Sequence, residues 1–242
     1  MVKKTYRRHQ KSAFAGSDVG FTLMEILIAI LILSVVVTTV LASFNMVFST
    51  TEALDSDAAV YESARICLNQ MAADLGQIHI SQRPLYRPPQ LEDPPDPYRI
   101  EGVTEDIDGT AFAQLRFASR NHVPPPERGS NRIAQIWYYV QSSADGRFVL
   151  RRSDRLYPYP ELEKDPADAV LCTDVKSLAF TYTDHEGSEV DSWNSDQDDF
   201  EHSTPRAVHI RLEIGRGSSS RLFETSVQLP VARSQNGAKS NK

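Results

Sequence analysis

From Phe21 to Phe44 the chain reads FTLMEILIAILILSVVVTTVLASF, 24 residues with a single charge, Glu25. As an α-helix rising 1.5 Å per residue, the run is about 36 Å long, enough to cross a hydrocarbon core of about 30 Å with some tilt. A membrane span follows. The averages conceal it, because a mean hydropathy of −0.38 mixes this run with a polar remainder. Charge divides in the same way: Lys3, Lys4, Arg7, Arg8 and Lys11 oppose one Asp18 in residues 1–20, a net +4 against −6 for the whole chain. Residues 21–242 therefore carry −10. Lys and Arg beside a span resist translocation, so the leader is expected in the cytoplasm and the acidic remainder beyond the membrane.

A cleaved secretory signal has a shorter apolar core, about 7 to 15 residues, and has no use for a carboxylate inside it. Glu25 near the middle of a span would cost about 2.5 to 3.5 kcal/mol, less near an interface. It needs a partner. The string Gly20-Phe21-Thr22-Leu23-Met24-Glu25 and the apolar residues after it resemble the amino terminus of type IV pilins and type II secretion pseudopilins. That resemblance implies cleavage by a prepilin peptidase between Gly20 and Phe21, N-methylation of Phe21, and retention of the helix. It also implies a partner for Glu25, the new α-amino group of Phe21 on a neighbouring subunit, so that the pair sets assembly register. The leader is longer than is usual in that family, and Met24 stands where an aliphatic residue is commoner.

Leu54, Tyr61, Ala64, Leu68, Met71, Leu75 and Ile78 recur at helical spacing, while Glu52, Asp55, Glu62, Arg65, Asn69 and Gln77 occupy other faces. The pattern predicts one helix, apolar over residues 21–44 and amphipathic over 45–80. Six prolines, Pro84, Pro88, Pro89, Pro94, Pro95 and Pro97, then fall in fourteen positions, so residues 81–110 read as an extended connector. Short alternating runs at 111–119, 132–141, 147–152, 175–183, 206–214 and 222–229 predict an antiparallel β domain over 111–230. Turns are expected at Ala144-Asp145-Gly146 and Gly215-Arg216-Gly217, and residues 231–242 read as a disordered tail. The class is α+β, arranged as in the pilin fold.

Several stretches resemble the J-type minor pseudopilin of type II secretion: Cys67 to Leu75 at a helix end, Val175-Lys176-Ser177-Leu178-Ala179-Phe180-Thr181-Tyr182, and Trp193 followed by Pro205 to Leu212. Residues Asn69 to Ala73 depart from the more basic pattern of that family. The resemblance implies a subunit of the pseudopilus tip that associates with I-type, K-type and H-type minor pseudopilins and primes assembly. It further implies contact with the major pseudopilin, the prepilin peptidase and an inner-membrane assembly platform. Localisation follows as a single-pass protein of a Gram-negative inner membrane, with its amino terminus cytoplasmic and its carboxy-terminal domain periplasmic. The alternative is a minor type IV pilin, of the W type or similar, acting in pilus assembly, adhesion or motility.

No H-E-x-x-H, G-x-S-x-G, C-x-x-C or P-loop string occurs, and the six histidines have no ligand spacing, so no enzyme is expected. An acidic mature chain argues against nucleic acid, which needs clustered cations. Eight carboxylates fall in eighteen residues from Asp184 to Glu201. Asp196, Asp198, Asp199 and Glu201 are calcium candidates by ligand type, although the EF-hand spacing is absent and a solvated loop explains them as well; Asp106-Ile107-Asp108-Gly109 is a fragment of such a loop. No other cofactor is expected. Trp193 is either a partner anchor or a core residue. The only cysteines, Cys67 and Cys172, are either a disulfide or two small buried hydrophobes.

Overall fold

The computed structural model describes residues 20–90, 92–122, 133–216 and 219–233. The expected leader lies outside the described residues except for Gly20, as does the expected tail beyond Arg233. The chain divides into two units, Met1–Asp55 and Ser56–Lys242.

In the first unit, helix α1 (Leu23–Gly76) opens with a window, Leu23–Phe44, of 22 residues whose mean hydropathy is 2.8 and of which none is buried. Val35, Val36, Val37, Thr38, Thr39 and Val40 are poor helix formers in water. Hydrocarbon reverses that preference, because a helix satisfies every backbone group internally. The side chains of Glu52, Leu54 and Asp55 lie outside what is described.

Among the described residues the second unit joins the end of α1 to eleven strands: β1 (Ile78–His79), β2 (Glu101–Ile107), β3 (Thr110–Ser119), β4 (Ala134–Ser142), β5 (Phe148–Leu156), β6 (Ala169–Cys172), β7 (Val175–Thr183), β8 (Glu189–Val190), β9 (Trp193–Asn194), β10 (Ala207–Arg216) and β11 (Ser219–Gln228). A 3₁₀ turn spans Asp198–Phe200. One sheet runs β6-β5-β4-β3-β2-β9 with β1 also on β3; the other runs β11-β10-β7-β8. The class is α+β with antiparallel pairing throughout.

The core is where the two sheets and the helix meet. Ala64, Cys67, Met71 and Leu75 present one fully buried stripe of α1. Strand β10 alternates cleanly, with Val208, Ile210, Leu212 and Ile214 inward. In β7 the alternation slips between Val175 and Leu178, where a bulge shifts its register against Glu213 and Ile214. Strand β4 is covered on both faces, so Ile136 to Val140 are all buried. Tyr182 of β7 lies directly over Gly102 of β2; a Cβ at residue 102 would stand 1.8 Å from the Tyr182 hydroxyl oxygen. Only glycine admits the ring there.

Five expectations need correction. The helix ends at Gly76 instead of Ile80, because Ile78 and His79 pair with Ser119 and Ala118. Residues 81–110 are not wholly a connector: Glu101–Ile107 forms β2, turned into β3 by Asp108 and Gly109, whose φ values of 53° and 81° suit a two-residue hairpin loop. Gly215 and Arg216 continue β10, pairing with Ser220 and Ser219, while Gly217 lies outside the described residues. Val231 to Arg233 are placed, and Arg233 is buried. The expected strand start at Arg132 also lies outside the described residues. The helical stripe is shifted too: Tyr61 is 60% exposed and meets Phe223 edge-on, and Cys67 takes the centre of the face in place of Leu68.

Candidate functional site

In the membrane-length part of α1, Thr22 caps the helix: its hydroxyl accepts the backbone N–H of Glu25 at 3.3 Å, and its carbonyl accepts the N–H groups of Glu25 and Ile26. Thr22 and Glu25 thus stand three apart as in a capping box, with the carboxylate in the first turn, where the helix dipole favours an anion. Each of the four hydroxyls further along donates back to its own helix: Ser34 to Leu31, Thr38 to Ser34, Thr39 to Val36 and Ser43 to Thr39, at 2.7 to 2.9 Å. None is left for the surroundings to satisfy.

In the second unit the end of α1 is tied to the sheet by a buried charge that the periodicity conceals. Asp74 stands three residues after Met71 on the buried stripe and has no exposed surface. Arg152 of β5 donates to it twice, Nε at 2.7 Å and Nη2 at 3.3 Å. Asn121 donates at 2.6 Å, Gln70 at 2.9 Å, and the Tyr138 hydroxyl completes the set. The third guanidinium nitrogen, Nη1, goes to Asp154 at 2.6 Å, and Asp154 in turn meets His122 at 2.5 Å. Burial tends to lower the pKa of Arg152, but its bonds to Asp74 and Asp154 outweigh that and raise it. Burial, reinforced by the charge on Asp74, holds the Tyr138 hydroxyl well above its ordinary value.

A second cluster closes on Arg233. Its guanidinium donates to the carbonyls of Ser195 (2.5 Å), His202 (2.7 Å) and Ser81 (3.3 Å) and to Asp96 (3.2 Å), and it stacks 3.4 Å from the ring centre of Tyr86. Asp196, 3.6 Å from the same guanidinium, accepts the Asp96 N–H and the Tyr86 hydroxyl. One arginine therefore fastens the proline-rich segment to the acidic loop. Burial pushes the Asp196 carboxyl above its usual range and the Tyr86 hydroxyl up to about 12.

The four calcium candidates do not converge. Asp196 turns inward to Arg233, the Asp198 side chain is 96% exposed beside His202, and Asp199 and Glu201 are exposed. Among the described residues no group of three or more His, Cys, Asp or Glu side chains is placed to hold a metal ion. Asp106 instead accepts the N–H of Gly109 and shapes the β2–β3 turn. Trp193 is a core residue, 3% exposed, its indole N–H on the Ser203 carbonyl and its ring against Phe200. Cys67 and Cys172 come together in the core as free thiols. An open cleft of about 770 Å³ at the strand ends is lined by Thr110, Phe148, Lys176 and the Arg147–Asp174 pair.

A family model, type II secretion system protein J, matches residues 42–225, which is most of the chain and includes every strand of the two sheets except the end of β11. The chain belongs to the type II secretion system protein J family. No curated protein matches it. As a protein J, it is a minor pseudopilin component of a secretion apparatus, a structural part that works against other components and is anchored by its apolar helix. The match begins inside the apolar run, so Gly20, Phe21 and Glu25 fall before it.

Sequence reading overlooked Asp74, Arg152, Tyr138 and Arg233. For Asp74 a signal existed: a carboxylate flanked by Met71 and Leu75 on an apolar stripe has to meet a cation. Arg233 gave none, since it stands at the edge of a polar, low-complexity tail.

Proposed function

We propose that this protein J joins the tip of a type II secretion pseudopilus and primes its assembly, acting by packing and not by chemistry. The observation that carries the reading is the family match over 42–225, which begins at the end of an unburied apolar stretch of helix. In this reading prepilin peptidase cuts after Gly20, Phe21 becomes the methylated amino terminus, and Glu25 meets that amino group on a neighbouring subunit. Oppositely charged groups in a low-dielectric setting attract strongly, and such a pair is best suited to setting register. The residues before Phe21 stay in the cytoplasm, and the β domain stands in the periplasm. Its partners are the I-type, K-type and H-type minor pseudopilins, the major pseudopilin and the assembly platform, and the filament serves the passage of folded proteins across the outer membrane. The subunit needs no cofactor for this role, and the acidic loop serves as a solvated surface.

Deletion of the gene tests the proposal. Loss of exoprotein secretion with intact piliation is the expected result, whereas lost piliation with normal secretion would replace this reading with a minor type IV pilin. Glu25→Lys should leave processing at Gly20 intact and abolish incorporation into the tip, read by co-purification with the I-type and K-type subunits.

A further inference from the structure

We infer that Cys67 and Cys172 form a disulfide in the exported protein, stapling helix α1 to strand β6 where the chain passes from one sheet to the other. The inference rests on the proposed export of this domain. Its geometry comes from the core itself. Cys67 is fully buried on the helix stripe and Cys172, 3% exposed, ends β6 in the same core cluster; Cys172 pairs with Leu150 on β5, two residues from the Arg152 that holds Asp74 of that stripe, and the two thiols are neighbours. They are the only cysteines in the chain, so no other intramolecular pairing competes.

Strand β6 has reason to be pinned. It is an edge strand of four residues, and its pairing with β5 is broken by a register shift between Leu150 and Arg151. Only Thr173 and Asp174 separate Cys172 from β7 of the other sheet. A staple here fixes the helix, the weak edge and the crossover together, and it closes a loop of about 100 residues, a length at which constraint of the unfolded chain is large.

Closed off in the core, the pair cannot react. Contact with Cys172, and then burial, hold the Cys67 thiol well above its ordinary range, so little thiolate is available once the domain has folded. The bond therefore forms during folding, by exchange with a disulfide-bearing oxidant of the exported compartment. One cysteine thiolate attacks a sulfur of that disulfide, joins it and expels the first oxidant thiolate. The second cysteine then attacks the mixed disulfide, forming the Cys67–Cys172 bond and expelling the other. Two protons pass from the cysteines to the two released thiolates, and the oxidant takes up two electrons.

The full chain is tested in cells that export it, by acid quenching, denaturation and alkylation with a mass-adding maleimide. No label before reduction and two labels after it is the expected result; two labels without reduction overturns the inference. Cys67→Ser and Cys172→Ser should each take one label with or without reductant. In a second arm the purified full chain is refolded in detergent with oxidised glutathione. Failure to close the bond there rejects the geometry. Closure there together with free thiols in cells rejects export to an oxidising compartment, and with it the bond in the living cell. The oxidised chain should melt about 5–15 °C above the reduced one, and equal melting overturns the stapling role.

Discussion

Arg152→Met removes the only cation bonded to Asp74 among the described residues. The carboxylate has no exposed surface, and Arg152 is 5% exposed, so solvent screens neither. After substitution Asp74 keeps the neutral donors Tyr138, Asn121 and Gln70 but has no compensating charge. Breaking a buried pair on one side costs about 3–5 kcal/mol, chiefly from the charge left behind. For a domain of this size that is a fall in Tm of roughly 6–20 °C. Asp74→Leu should cost less, because Arg152 loses two bonds but keeps Asp154 as a charged partner. Removing both leaves orphaned neutral groups at Tyr138, Asn121 and Gln70 and takes the cation from Asp154, but strands no Asp74 charge, so the double variant should cost no more than Arg152→Met alone. The coupling energy is then at least the cost of Asp74→Leu. Thermal unfolding of the full chain in mild detergent, followed by circular dichroism, gives all four corners of the cycle. Additive losses would refute the reasoning, and so would an Arg152→Met protein that melts like the parent.

Gly102→Ala drives a methyl group to 1.8 Å from the Tyr182 hydroxyl and 2.3 Å from ring atom Cζ, so Tm should fall by an amount corresponding to about 1–3 kcal/mol or more. Tyr182→Phe leaves that Cζ in place and should not rescue it, whereas Tyr182→Val should. In the parent background Tyr182→Phe should raise Tm, because the hydroxyl is buried without a partner among the described residues. Burial raises the folded-state pKa of both Tyr138 and Tyr182, so above pH 10 the unfolded chain sheds protons that the folded one keeps. Their stabilising contribution is complete below pH 10 and declines above it at about 1.4 kcal/mol per pH unit each. A pH titration of Tm should therefore steepen from pH 10, and tyrosinate absorbance for these two should appear only on unfolding; an earlier rise would refute the assignment. Arg233→Ala should speed proteolysis within residues 84–97, and an unchanged cleavage rate would show that the arginine does not hold that segment.

What the residues revealed beforehand followed from how locally each feature is encoded. The apolar run and the β10 alternation carry their own periodicity, so both could be seen in sequence. Strand β2 was hidden because GVTEDI is polar on one face and follows six prolines, although Asp108-Gly109 announced its hairpin. β6 was hidden because four residues at a sheet edge have no period to display. The polar clusters were least legible: Asp74 meets Arg152 across 78 positions, and Asp96 meets Asp196 across 100. Such partners are set by topology, and no spacing within one element foretells them. The acidic run misled for a related reason, since Asp196 is a structural partner of Arg233 while Asp198, Asp199 and Glu201 face outward.

The Arg233 contact also orders events in time. A chain made from its amino terminus presents the proline-rich segment early and the acidic loop later, but the guanidinium that joins them follows Asp96 by 137 residues. Until it emerges, Asp96 and Asp196 face each other with no cation between them, and Tyr86 has no group to stack on its ring. The two sheets and the helix can settle beforehand through apolar contact. The loops at that end of the domain close last, so a chain arrested just short of its final residues would hold a finished core beneath an open edge.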